Sequence, residues 1–468
     1  MKLTFSHNTP QYENDLAELV RGFFPSVEFG DENFLKMESV FLSGEIRVML
    51  TSDIHTNFKK GWWFEISKDC DELERKRLEK RYLKIALYRT LSFLSNTNLP
   101  YGCLTGIRPT KLYAELGESA GEMFRKDFSV SENKVKLVEK IIEVQTPIKN
   151  VTGEYDVFIN IPFCPSRCSY CSFVSVPIDK QKQVLKPYVE CLIREIKCQK
   201  ELIKSLMCKI RAVYIGGGTP TSLPPDLLKM ILKECDFGQR EFTVEAGRPD
   251  TLNRKIVGVL KKAKVNRISV NPQTFHDKTL QLIGRHHTVK DTIKAFKLVK
   301  RKFDVNMDLI AMLPNESLDD FKYSVDSAIK LHPENITVHT LYLKRGSELK
   351  QEGYRETDVV TAKAMVDYAC EKLMKAGYLP YYMYRQKYTT GNLENVGYAL
   401  PRKECLYNID IMEEDTSIFA IGAGAIAKKY TPEIKLIERF AHCKEPSDYV
   451  SRFEEMNAKN QNFWKSKQ

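Results

Sequence analysis

The sequence opens without the apolar core of a secretory leader. MKLTFSHNTPQYEND contains no h-region, so that route of export is excluded and a cytoplasmic protein is expected. A membrane span is missing too. The longest nearly apolar run, Ile418 to Ala427, falls far short of the ~20 residues a spanning helix needs. Low-complexity segments and internal repeats are absent, which excludes a solenoid. Charge of one sign is not in large excess. Lys+Arg is 72 and Asp+Glu is 61, so the net +11 is spread thinly over 468 residues. A solvated basic surface accounts for it, and an acidic small molecule, a membrane surface or a nucleic acid is compatible with it. The remainder is ordinary for a globular protein, with 43% hydrophobic and 28% charged residues, and the core needs no disulfide staples. In a reducing compartment the twelve cysteines are free thiols or metal ligands. Nine are scattered and three are bunched, as Cys164, Cys168 and Cys171.

Three regions follow from the pattern. Residues 1–150 mix β-like runs (KLTFS, VEFG, EIRVMLTS, GWWFEIS) with a charged amphipathic helix from Asp71 to about Ser95, an α+β domain. Pro147 and the polar KNVTGEYD mark its end. Residues 151–345 carry six β-then-α units, with strands expected at 157–161, 212–216, 242–246, 267–271, 305–310 and 336–341. Such alternation makes a parallel sheet with crossover helices. Six units, not eight, make an α/β fold with a partial (β/α)6 barrel, whose functional groups collect at the C-terminal strand ends. Residues 346–468 form a C-terminal α/β extension with a helix near 357–376, the aromatic run YLPYYMYRQKY, a strand SIFAI and a polar helical tail.

The motifs sit where that rule puts them. Cys164-Pro-Ser-Arg-Cys168-Ser-Tyr-Cys171 follows the first strand. Zinc sites usually pair two such motifs, and no second CxxC or HxxxH exists here. Three thiolates suit three corners of a cubane iron–sulfur cluster, leaving one iron open. Three buried structural thiols are the plain alternative. Gly216-Gly217-Gly218-Thr219-Pro220 ends the second strand, either as a tight turn or to admit a ligand close to the backbone. Glu245, Gln273 and Asp308 stand at the ends of strands three, four and five. Each either meets a helix end or a lysine, or together they line a shared pocket. Arg285 on its own is a helix-surface arginine. His286, His287 and His339 are structural hydrogen-bonders, Tyr381, Tyr382, Tyr384, Tyr388, Trp62 and Trp63 are core, and GAGA (422–425) is assigned no chemistry.

CxxxCxxC with an aromatic residue, here Tyr170, before the last cysteine resembles the signature of the radical S-adenosylmethionine (SAM) enzymes. FINIPFCPSRCSYCSF, GGGTPTSL, TVEAGRPD, NPQTFHDKTLQLIGRHHT and NMDLIAMLP resemble, in order, the oxygen-independent coproporphyrinogen III oxidase family. YGCLTGIRPTKL and YRQKYTTGNLENVGYA resemble segments of its Gram-positive coproporphyrinogen dehydrogenase branch, so the likeness spans nearly the whole chain. The resemblance implies a [4Fe–4S] cluster on Cys164, Cys168 and Cys171, with Tyr170 beside the cofactors. It implies SAM held by Gly217, Gly218 and Thr219 through its methionine part, by Glu245, Gln273 and Asp308 through ribose, amino and carboxylate groups, and by Arg285 through the carboxylate. The implied activity is anaerobic oxidative decarboxylation of coproporphyrinogen III to protoporphyrinogen IX in heme and porphyrin biosynthesis. It implies a tetrapyrrole substrate and a one-electron donor of flavodoxin or ferredoxin type, with nucleic acid not an expected partner and the C-terminal extension on the substrate side. The chain departs from the best-known members at three positions. Phe158, Asn160 and Phe173 stand where those have tyrosine, histidine and cysteine. A heme chaperone, or a radical SAM enzyme acting on another tetrapyrrole, therefore remains an alternative, and the basic charge together with the N-terminal region leaves a nucleic-acid modifier as a third reading. Tyr384, Arg385 and Lys387 are the candidates to replace the lost groups, against the plainer reading of a structural strand.

Overall fold

The computed structural model of the 468-residue chain describes residues 3–24, 34–54, 58–106, 108–150, 153–343, 346–354, 358–386 and 389–466. The chain divides into two compact units. One holds residues 1–142, 357–359 and 384–393; the other holds 143–356, 360–383 and 394–468.

The first unit has a four-stranded sheet in the order Thr4–His7, Phe34–Phe41, Glu45–Ser52, Phe58–Glu65, parallel at the first pair and antiparallel after it. The helix Glu72–Ser95 packs on Glu13–Phe23 and on the strand Glu45–Ser52. It starts where its cap dictates. The Asp71 carboxylate accepts from the Glu74 amide at 2.7 Å, and Glu72 and Glu74 face the positive helix end. The expected strand VEFG lies outside the described residues. The strand Phe34–Phe41 was not expected, although its alternation is clear: Leu35, Met37 and Ser39 are buried, and Lys36 and Glu38 face water. The basic excess lies elsewhere. Residues 1–150 carry 22 Lys+Arg against 22 Asp+Glu, so the whole +11 falls in residues 151–468. This removes the reason for reading the N-terminal region as a nucleic-acid module.

The second unit is built on an eleven-stranded sheet. Its centre is the expected set of six parallel strands, adjacent in chain order: Glu154–Ile161, Lys209–Gly217, Glu241–Val244, Arg267–Ser269, Asp304–Ala311 and Asn335–Thr340. The helices Lys182–Ser205, Pro225–Glu234, Arg254–Lys262, Val289–Val299 and Leu318–Leu331 cross between them, giving the partial (β/α)6 barrel. Thr288 with Asp291, and Ser317 with Asp320, form capping boxes that start the last two. The C-terminal segment extends both edges of this sheet. Ile418–Ile421 pairs parallel with the first strand and continues into the hairpin Ile426–Thr431/Leu436–Ala441. Glu394–Ala399 pairs antiparallel with the sixth strand, and Leu379–Arg385 lies beyond it.

Strand alternation sorts residues between two faces. Val157, Ile159, Ile161, Val213 and Ile215 pack into one core with Leu192, Ile196, Leu228 and Phe296 of the helices. Each such side chain contributes ~1.5–3 kcal/mol on full burial. Phe158, Asn160 and Tyr214 take the opposite face. Among the described residues no helix is long and apolar enough to cross a membrane.

Candidate functional site

The first barrel strand runs into the loop that carries the three cysteines. The loop is closed at its base, where Phe163 pairs with Val176 and Cys164 with Pro177. All three thiols are free and partly exposed. The Cys171 amide donates to the Cys168 carbonyl at 3.0 Å, a tight turn. Cys164 Sγ lies 3.5 Å from Thr219 Oγ1, the Thr219 amide donates to Phe163 O at 2.7 Å, and the Gly218 amide donates to Ile161 O at 2.9 Å. The glycine turn is thus fastened to the base of the loop. A Cβ on Gly218 would stand 2.6 Å from Phe163 O, and one on Gly217, at φ +107°, only 1.7 Å from Asn160 Oδ1. No other residue type permits this approach.

Burial pushes the Cys164 thiol up to about 11, and the neighbouring Cys171 and Cys168 add to the rise. Burial raises Cys171 as well. Among the described residues no three His, Cys, Asp or Glu side chains are gathered as a ready metal site. The raised thiols must lose their protons to become ligands, so ligand deprotonation and metal binding are coupled here. The donor set, three thiols on one short loop, fits an iron–sulfur cluster.

A polar line continues from that loop along the C-terminal strand ends. Tyr170 OH accepts from Arg285 Nη1 at 3.2 Å. Arg285 is no surface residue: it is 2% exposed, sits in the turn after the helix Asp277–Leu282, and also donates to Gly247 O. Its Nε is buried with no hydrogen-bond partner. Two residues before Gly247, the Glu245 carboxyl accepts from Tyr214 OH at 2.7 Å. Burial raises Glu245 to about 7, and the nearby Asp308 carboxylate adds to the rise. Asp308 behaves oppositely. Burial acts to raise it, but His339 Nε2 at 3.7 Å and the Asn306 amide at 2.7 Å hold it below its ordinary value. Asn271 Nδ2 donates to its other oxygen at 2.7 Å. Gln273 has φ +66°, a strained conformation for a side-chain-bearing residue, fixed by its amide donating to Asp308 O at 2.9 Å and by Ile310 N donating to its carbonyl at 3.0 Å. Its side-chain Oε1 is buried without a partner. Orphaned buried polar atoms are few in native proteins and call for an explanation. Here a donor on Arg285 and an acceptor on Gln273 fit a polar ligand such as SAM.

Several residues of this site were not singled out in the sequence. Tyr214 and Asn271 hold the two carboxylates; their signal was a polar group within or just after an apolar run. Arg248, 3% exposed, donates to Ser166 Oγ of the cysteine loop at 2.9 Å and to both oxygens of Asp250 at 3.1 and 3.0 Å. His287 is not the hydrogen-bonder expected. Both its ring nitrogens are buried without a hydrogen-bond partner, and burial, then Arg285, hold it neutral at about 4.

Of the YRQKY candidates, Arg385 takes the structural role that was its plainer reading. Arg385 is 6% exposed and belongs to the first unit. It donates to Asn392 O at 2.8 Å and Leu104 O at 2.7 Å, and lies 4.2 Å from the Tyr101 ring centre. It therefore clamps the YGCLTGIRPT segment. Lys387 lies outside the described residues. Phe158 stacks on Tyr407 at 6.1 Å, and Tyr407 stacks on Tyr214 at 4.5 Å. Asn160 is turned to the Ala423 carbonyl, and Phe173 is exposed.

Residues 159–328 match the Radical SAM superfamily. The chain is 37% identical over 437 residues, 89% of its length and 86% of the relative's, to the oxygen-independent coproporphyrinogen-III oxidase-like protein HemZ of Bacillus subtilis (strain 168). It is 31% identical over 281 residues to the heme chaperone HemW of Lactococcus lactis subsp. lactis (strain IL1403), covering 57% of this chain and 68% of that one. For the HemW of Bacillus subtilis the figures are 34% over 195 residues, 40% and 50%. The fold is similar to coproporphyrinogen III oxidase (HemN) from Escherichia coli, with a TM-score of 0.52 at 18% identity over 65% of this chain and 70% of that one. The chain belongs to the radical SAM superfamily, in the family of oxygen-independent coproporphyrinogen-III oxidase-like proteins, and the cofactors of that superfamily are a [4Fe–4S] cluster and SAM.

Proposed function

We propose that this protein oxidatively decarboxylates coproporphyrinogen III to protoporphyrinogen IX without oxygen, in heme biosynthesis. The carrying observation is the end-to-end likeness to the HemZ oxidase-like protein, 37% identity over 89% of the chain, whereas the two HemW matches reported cover 57% and 40%. Cys164, Cys168 and Cys171 would hold three irons of a cluster. Gly217, Gly218 and Thr219 would receive the methionine part of SAM, Arg285 its carboxylate, and Glu245, Gln273 and Asp308 its ribose and amino groups, with Tyr170 fixing Arg285. Bound there, the cofactors would supply reductive cleavage of SAM and a radical able to take a hydrogen atom. The chain's own work is to orient and to keep out water. His339 and Asn306 hold Asp308 as a carboxylate, with Asn271 donating to its second oxygen, while the half-buried Glu245 carboxyl retains its proton until about pH 7. On the substrate, each of two propionates would lose one hydrogen atom from its chain to that radical, then carbon dioxide and one electron, the electron passing to an oxidised one-electron carrier, leaving a vinyl group. The basic balance of residues 151–468 suits a tetracarboxylate. Residues 346–468, at both edges of the barrel sheet, are the proposed substrate side, and a flavodoxin- or ferredoxin-type protein is the electron donor.

A second reading, a heme chaperone, is favoured by the HemW relatives and by Phe158 and Asn160, which bring no hydroxyl or imidazole. One anaerobic assay separates the two. The reconstituted protein receives SAM, a reductant and coproporphyrinogen III, and the products are weighed. Loss of two carbon dioxide molecules supports the first reading. Heme binding with no vinyl product overturns it in favour of the second.

A further inference from the structure

The segment Gly422-Ala423-Gly424-Ala425 carries none of the chemistry above, yet each of its four residues is hydrogen-bonded to its surroundings. Beneath it lies a buried polar cluster. Glu195, on the helix Lys182–Ser205, is 1% exposed. Its Oε1 lies 2.7 Å from His442 Nε2 and 3.3 Å from Asn460 Nδ2. Its Oε2 accepts from Tyr449 OH at 2.6 Å and from the Gly422 amide at 3.0 Å. The His442 amide donates to Ala425 O at 2.9 Å, and the Gly424 amide to Cys443 O at 2.7 Å. Both ends of the loop are therefore bound to one carboxylate cluster. A buried network in which every oxygen of Glu195 is engaged rigidifies what it holds.

The upper side of the loop holds Asn160. Asn160 Nδ2 donates to Ala423 O, and Tyr188 OH donates to Asn160 O at 2.7 Å while accepting from the Ala423 amide at 3.2 Å. A Cβ on Gly422, at φ +97°, would stand 2.5 Å from Asn160 O, so the approach requires glycine. Asn160 Oδ1 is the wall against which Gly217 turns. The loop reaches the glycine turn through Asn160, and that turn is fastened to the base of the cysteine loop by the Thr219 amide donating to Phe163 O at 2.7 Å.

We propose that Glu195, His442 and Tyr449 act through the 422–425 loop and Asn160 as a strut that positions the Gly217-Gly218 turn and the cysteine loop for SAM. Asn160 is on this account a positioning residue, not a replacement for a substrate-side group. The inference rests on the SAM-site reading given above, and its test separates the two.

Two measurements are made on Asn160→Ala, His442→Gln and the double variant. The first is amide hydrogen exchange of the cofactor-free chain over residues 158–178 and 214–222. The second is SAM titration of the anaerobically reconstituted chain, with iron counted. Each single variant is expected to speed exchange in both segments and to weaken SAM binding at least fivefold while keeping its iron and its circular dichroism. The double variant is expected to be no weaker than the worse single by more than twofold, because the two residues act in series. Unchanged exchange and SAM affinity in the folded single variants, or losses that multiply in the double, overturn the strut. If His442→Gln fails to fold, Tyr449→Phe, which removes one hydroxyl from Glu195, takes its place under the same criteria. A wild-type chain that binds no SAM overturns the site reading instead, and the exchange data then judge the strut alone.

Discussion

The two ends of the barrel are both buried, both charged and both rich in carboxylates, yet their polar groups are arranged for different purposes. At the N-terminal strand ends the ions face one another. Glu241 accepts from the Leu406 amide at 3.0 Å and the Tyr407 amide at 3.2 Å, capping the helix Leu406–Glu413, and lies 3.6 Å from Arg267. Arg267 also donates to Glu404 O at 3.0 Å, and Arg211 Nε lies 2.9 Å from Asp410. At the C-terminal ends Glu245 and Asp308 face each other with like charge, and Arg285 Nε and Gln273 Oε1 have no partner. Hydrogen-bond satisfaction does not separate the ends: Arg211 Nε, Arg267 Nε and both Asp410 carboxyl oxygens are, like Arg285 Nε and Gln273 Oε1, buried without a hydrogen bond. The counter-ions do. Arginines stand beside Asp410 and Glu241, whereas among the ion pairs of the described residues no arginine or lysine lies within 4.0 Å of Glu245 or Asp308. Arginine partners, not burial or charge, distinguish the plug from the site.

The sharpest way to break this comparison is at the cysteine loop. Cys→Ala at Cys164, Cys168 or Cys171 is expected to abolish both the cluster and SAM cleavage, since thiolates are the ligands. Replacing any one of the other nine cysteines should leave iron and sulfide content intact. A Cys168→Ala protein with full cluster content would end the proposal. Next in size is the plug. Glu241→Ala removes the nearer carboxylate from Arg267, leaving Asp304 at 4.0 Å, and takes the acceptor from two helix amides, and should destabilise the fold by ~1–3 kcal/mol. Urea unfolding of the apoprotein reads this, and SAM affinity of the folded protein should stay within twofold. Lost SAM affinity with unchanged stability would show that the two ends are not separate devices.

How far the sequence foretold this depends on whether the information is local. The six barrel strands were legible because each is a short apolar run between amphipathic helices, and the cysteine spacing was legible because a three-ligand motif is local. Glu394–Ala399 was not, because ENVGYA has little β-branched content; its Asn395 Oδ1 accepts from the Thr340 amide at 2.8 Å, a contact set only in three dimensions. The hairpin Ile426–Thr431/Leu436–Ala441 was hidden by its lysines and arginine. In the site, strand-end position singled out Glu245, Gln273 and Asp308, but not Tyr214, Asn271 or Arg248, whose roles lie in their partners. For Arg385 the plainer reading, a structural strand residue, is the one the structure agrees with, but nothing in YRQKY says that its guanidinium meets Leu104 and Tyr101.

Arg285 tests the ligand-awaiting end directly. Arg285→Ala should weaken SAM binding by ~1.5–3 kcal/mol, the contribution of a hydrogen bond to a charged group. Calorimetric titration of the reconstituted protein measures it. The same change should cost the fold less than Glu241→Ala does, because Arg285 makes no contact shorter than 4.0 Å with a carboxylate among the ion pairs of the described residues, whereas Glu241 faces Arg267. Unchanged SAM affinity would remove Arg285 from the site.

The smallest expected effect separates the ends by pH. Burial raises Glu245 at the site from an ordinary 4.5 to about 7, and raises Asp410 in the plug from 3.8 to about 7. In both cases the folded state holds a proton that the unfolded state has already released. The stability each contributes is therefore fully present below the unfolded value and is lost as pH rises through about 7. One retained proton gives a slope of at most ~1.4 kcal/mol per pH unit, and screening at a partly exposed carboxyl brings the Glu245 contribution to the order of 1 kcal/mol over the interval. Unfolding of the apoprotein between pH 5 and 8 should fall less steeply in Glu245→Gln and in Asp410→Asn than in the wild type. Saturating SAM then distinguishes them. If Glu245 takes SAM hydroxyls, the ligand favours its carboxylate and erases the difference between wild type and Glu245→Gln, while the Asp410→Asn difference persists. Should SAM leave both differences untouched, Glu245 belongs with the plug and not with the site.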